Sequence, residues 1–94
     1  MKAYMIERDI PGVGAMTGDE LCGAAATSCK ALAQLAPKVQ WQHSYVTGDK
    51  TFCIYLADDE SAIHEHARLS GFPATKVTPI AGQIDPTTGD AHAG

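Results

Sequence analysis

The spacing of apolar residues switches between two and about three and a half along the chain, and each switch marks an element. Residues 2–8, KAYMIER, alternate, with Tyr4 and Ile6 on one face and Ala3 and Met5 on the other, which predicts a strand. The loop DIPGVGAM follows, punctuated by Pro11, Gly12 and Gly14. Helical spacing begins at TGDE, where Thr17 and Glu20 form a capping box and Asp19 complements the helix dipole. Leu21, Ala25, Ser28, Leu32 and Leu35 then recur at one face until Pro37 stops the helix near Ala36.

Two aromatic and β-branched runs come next, VQWQHSYV and TFCIYLA, joined by TGDK with Gly48-Asp49 at the turn. This predicts a β-hairpin in which Val46 pairs with Thr51, His43 with Ile54 and Trp41 with Leu56. Val39, Trp41, His43, Tyr45, Phe52, Ile54 and Leu56 would then face the helices as core. Gln40, Gln42, Ser44, Val46, Thr51, Cys53 and Tyr55 would face the other way. That second face is too apolar for a purely solvated sheet, so it is expected to meet a partner subunit.

A second helix is expected over DDESAIHEHARLSG, capped by Asp58 or Asp59, with Arg68 and Gly71 at its end. A last strand should run from about Lys76 to Ile84, with Pro79 implying an edge position or a bulge. The order is βαββαβ, the ferredoxin-like α+β unit: a four-stranded antiparallel sheet with two helices on one face. Residues 1–85 form one domain in this reading, and 86–94 a flexible, turn-rich C-terminal tail.

Composition pushes the picture toward a dimer. Hydrophobic residues make up 45% of 94, but aromatics only 6%, so the core of one chain is thin and association would bury more apolar surface. Pairing through the sheet face bearing Ser44, Cys53 and Tyr55 would give a homodimeric α+β barrel. The net charge of −4, without a Lys/Arg cluster, argues against nucleic acid and anionic membrane as partners and suits divalent cations. Cys22, Cys29 and Cys53 are odd in number and lack CxxC spacing, which points to reduced thiols and a cytoplasmic location.

Candidate chemistry centres on the second helix. Ala62, Ile63, His66, Ala67 and Leu69 make its inward stripe, whereas His64 shares the outer face with Glu60 and Arg68. His64 and His66 therefore cannot chelate one ion together. Glu60 and His64, four apart, can share a divalent ion, and Asp58, Asp59 or a second subunit could add ligands; nickel and zinc both accept such an oxygen and nitrogen set. His92 in the tail is a further candidate donor. His66 could instead meet His43, Trp41 and Tyr45 in a pocket between sheet and helices, where imidazoles can do acid–base work. Against both stands the ordinary alternative of a hydrogen-bonded core histidine and a solvated Glu–His pair.

Other motifs carry less. Cys22 and Cys29 share a helix side but lie about 10 Å apart along the axis, too far to chelate or to bridge. GVGAMT lacks the third glycine and the parallel crossover of a dinucleotide loop. No nucleophile elbow or glycosidase-like carboxylate pair is visible.

The stretches YMIERDIPG, VQWQHSYVTGDKTFCIYLA, IHEHARLSGFPATKV and IDPTT together resemble a family of small bacterial proteins of unknown function that has a nickel-binding member. The resemblance covers roughly Tyr4 to Thr88. It implies a ferredoxin-like subunit, a homodimer, and Ni²⁺ at the dimer surface for sequestration or homeostasis. Other dimeric α+β barrels are cofactor-free monooxygenases or bind small molecules between sheet and helices, which is the rival reading. A binding protein is favoured over an enzyme.

Overall fold

The structure, a computed structural model, describes residues 1–88; the candidate donor His92 and most of the expected tail lie outside the described residues. Strand β1 (Lys2–Asp9) leads through one 3-10 turn (Val13–Ala15) to helix α1 (Gly18–Leu35). The hairpin β2 (Val39–Val46) and β3 (Lys50–Ala57) follows, then helix α2 (Glu60–Ser70) and strand β4 (Lys76–Ile80). The four strands pair antiparallel in the order β2-β3-β1-β4, the ferredoxin-like arrangement.

The helix boundaries follow from capping chemistry. Thr17 and Glu20 close the expected capping box on α1, and Asp59 accepts from the Ala62 N–H at 3.2 Å to start α2. Gly71 ends α2 in a left-handed conformation, φ 79°, which a side chain would strain. Strand β4 stops at Ile80, short of the expected Ile84, and it occupies the edge beyond β1. Pro79, which has no N–H to donate to a ladder, is tolerated there opposite Tyr4. Beyond β4, Asp85 caps a single helical turn at 86–88 within the expected tail.

The hairpin register corrects the sequence reading at one point, with large consequences. Val46 pairs with Thr51 and His43 with Ile54 as expected, but Trp41 pairs with Tyr55 instead of Leu56. A bulge between Trp41 and His43 absorbs Gln42, so Trp41 moves to the opposite face from His43. Along β3, and along β2 from His43 onward, the two faces are also exchanged relative to expectation, whereas Val39 and Trp41 lie on the helix side as expected. Tyr4, Ile6, Cys53, Tyr55, Ala57 and Val39 are buried beneath the helices with Ile63, while Leu32, Leu35 and Trp41 pack against them. Ser44, Cys53 and Tyr55, expected to meet a partner subunit, thus lie on the helix-covered face. Register leaves Met5, Phe52, Ile54, Leu56, His43 and Tyr45 on the open one.

The physical reason lies in β1. Its inward residues Tyr4, Ile6 and Arg8 are paired with Tyr55, Cys53 and Thr51, so the face of β3 is dictated by its neighbour. The Tyr55 hydroxyl also finds a partner among the helices, which makes its burial affordable.

The 3-10 turn seats against the hairpin tip, where the Gly14 N–H donates to the Gly48 carbonyl at 2.9 Å. A Cβ on Gly14 would fall 2.6 Å from the Thr47 carbonyl oxygen and 2.8 Å from Gly48 Cα, both backbone atoms that cannot swing aside. Gly14→Ala should therefore cost about 2 kcal/mol and lower Tm by roughly 10 °C. A thermal melt followed by circular dichroism checks this; an unchanged Tm would mean that the loop yields freely.

Candidate functional site

On the outer face of α2, His64 Nε2 lies 3.3 Å from Glu60 Oε2, as the four-residue spacing requires. Both side chains are about half exposed, at 54% and 52%. Asp59 is committed elsewhere: its carboxylate caps the helix and accepts from the Ser61 hydroxyl, and these hydrogen bonds hold its pKa below the usual range. Asp58 is exposed at the end of β3. Among the described residues, no three His, Cys, Asp or Glu side chains come together as a metal cluster. The described residues therefore bring two donors together, Glu60 and His64, and no third.

The four residues expected to share a pocket are separated by the sheet. His43 and Tyr45 lie edge to face on the open side, ring centroids 5.3 Å apart, with Tyr45 62% exposed. His66 and Trp41 lie on the helix side, His66 fully buried. The Gln42 bulge and the exchanged faces account for the separation.

A different constellation forms instead. Ser28, on the buried face of α1, has its hydroxyl 3.1 Å from His66 Nε2 and 3.3 Å from the Tyr55 hydroxyl. The His66 and Tyr55 rings pack at 5.1 Å. Burial, and then the charge of Arg8, push the His66 pKa down to about 4, so the imidazole is neutral at neutral pH. Burial raises the Tyr55 phenol from its ordinary value. Arg8 is itself only 3% exposed, with its guanidinium carbon 5.8 Å from the centre of the Tyr55 ring. Its Nη1 donates to the Pro73 carbonyl at 2.9 Å and to that of Phe72 at 3.4 Å.

Beside this network, between α1 and the sheet, is a cavity of about 230 Å³ lined by apolar residues and by Arg8, Ser28, Ser44, Thr51 and Tyr55. Trp41 and Tyr55, nearly parallel at 6.5 Å, contribute aromatic wall. The sequence reading did not single out Arg8, yet it is the third alternate residue after Tyr4 and Ile6 on the inward face of β1.

A family model described as "Nickel responsive protein SCO4226-like" matches residues 4–80. The chain belongs to this family. A crystal structure of SCO4226 from Streptomyces coelicolor A3(2) superposes on it with a TM-score of 0.74, covering 87% of this chain and 99% of that one. The two are 13% identical in sequence, so the likeness shows a shared fold. No curated protein sequence matches the chain significantly. Among the described residues of this SCO4226-like protein, no helix is long and apolar enough to cross a membrane.

Proposed function

We propose that this SCO4226-like protein is a homodimeric divalent-metal-binding protein of the cytosol, with nickel as its ion and sequestration or homeostasis as its role. The observation that carries the reading is the exposed Glu60–His64 pair on α2, in a chain whose family is described as nickel responsive. A carboxylate oxygen and an imidazole nitrogen match the ligand preferences of Ni²⁺, and a second copy would add donors to this pair. Dimerisation has independent support in the open sheet face, where Phe52, Ile54 and Leu56 are only partly covered and Met5 and Tyr45 are exposed. Stacking that face against its copy would give the dimeric α+β barrel. Three unpaired cysteines suit a reducing compartment.

Native mass spectrometry of chelator-stripped protein titrated with Ni²⁺ reads both claims at once. A dimer taking up a defined number of ions is the expected result. Glu60→Ala and His64→Ala should each weaken uptake at least tenfold while the circular dichroism spectrum is unchanged. Full affinity in both variants would place the ion elsewhere and remove α2 from the site.

A further inference from the structure

Arg8 poses a question that metal binding does not answer. Its guanidinium carries a permanent charge and five N–H donors, and it is buried. Nη1 is satisfied by two carbonyls, but among the described residues Nη2 has no hydrogen-bond partner and no carboxylate pairs with the charge. A buried, uncompensated cation costs several kcal/mol, so a counter-charge arriving from solution would be strongly favoured there. The cavity beside it is mainly apolar, with Val13, Leu21, Ala25 and Trp41 among its walls, and its other polar lining residues bear neutral hydroxyls. Val46, nearly half exposed, lines its outer side and gives access from solvent.

We propose that this cavity binds a small apolar carboxylic acid, its carboxylate on Arg8 and its hydrocarbon part between α1 and Trp41. Size and charge both narrow the ligand. A cavity of roughly 150 Å³ takes one benzene, and drug-sized ligands need about 300 Å³ or more. The 230 Å³ here falls between, enough for one ring or a short chain plus a carboxylate. One guanidinium balances one negative charge, so a phosphate dianion would remain half uncompensated in an apolar site. Tyr55 and Ser28 stand beside Arg8 as hydroxyl partners, while neutral His66 adds no second positive charge to the guanidinium.

The test uses the full chain without nickel, so that this site and the metal site stand or fall separately. Trp41 is the single tryptophan and lines the cavity, so its fluorescence reports occupancy. Benzoate and hexanoate are titrated alongside benzyl alcohol, a neutral molecule of similar size. At least one carboxylate should bind saturably and ten or more times tighter than the alcohol. Arg8→Gln should remove that preference while leaving benzyl alcohol within twofold. Ala25→Leu, which fills the cavity without touching Arg8, should abolish all binding in a folded protein. If Arg8→Gln does not fold, the carboxylate-to-alcohol ratio in the unmodified protein and the Ala25→Leu result decide. Equal affinity for charged and neutral probes, or no saturable change with either carboxylate, would overturn the proposal.

Discussion

Acidification from pH 7 to pH 4 is expected to cost the domain about 3 kcal/mol through His66 alone. The folded pKa of about 4 lies below the ordinary 6.5 because the ring is buried beside the Arg8 cation. Between those two values the unfolded chain binds a proton that the folded chain refuses, so stability rises with pH across the window. The contribution is complete above about pH 7, falls by about 2 kcal/mol at pH 5, and levels off below pH 4. Glu20, Asp59, Glu65 and Asp85 have lowered pKa values and act with the same sign, but only from about one pH unit above the ordinary 3.8 to 4.5 of their carboxyl groups downward. The interval from pH 6.5 to 5.5 therefore isolates the histidine. Urea unfolding at a series of pH values and one protein concentration should show the slope, and His66→Gln should flatten it there. A wild-type midpoint unchanged at pH 5 would show that His66 charges freely inside the fold.

Element identity was legible because local chemistry determines it. The Thr17/Glu20 box, the Asp59 cap and Gly71 mark helix ends through bonds within a few residues. The Glu60–His64 contact was legible for the same reason, since it depends only on helical geometry. Asp59 did not join that pair because helix capping claims its carboxylate first. What alternation could not decide was which face of the hairpin the helices cover. TFCIYLA is apolar on both faces, and the wholly hydrocarbon side chains Phe52, Ile54 and Leu56 are those left uncovered by helices. The choice is made by non-local pairing, Tyr4 with Tyr55 and Ile6 with Cys53, and by the polar partner that Ser28 offers Tyr55. Gln42 carries no signal of its bulge, being an ordinary polar residue in an alternating run. The site followed the error: with the faces exchanged, His43 left the helix side, and Arg8, polar on an apolar stripe, went unread.

Paired lysine substitutions at neighbouring positions put the face assignment to the sharpest test. Tyr55→Lys should unfold the domain. Tyr55 is 2% exposed, packs on His66 and Trp41, and lies under the Arg8 guanidinium. A lysine there must lose its proton or sit charged beside another cation, costing about 5 kcal/mol at pH 7 before the lost aromatic packing is counted. That approaches the whole stability of a small domain. Ile54→Lys, one residue earlier, should leave the fold intact, because its side chain projects from the open face opposite His43 and Met5. In a symmetric dimer formed through that face, the charge appears twice and is buried each time, so dissociation should increase at least a hundredfold. Circular dichroism and analytical ultracentrifugation separate the outcomes. A folded Tyr55→Lys protein would mean that the helices do not cover that face, and an unchanged Ile54→Lys dimer would place the interface elsewhere. Monomers from Ile54→Lys alone would join the open face to the subunit contact, and retesting Ni²⁺ uptake on those monomers would then show whether the second copy supplies the donors missing from Glu60 and His64.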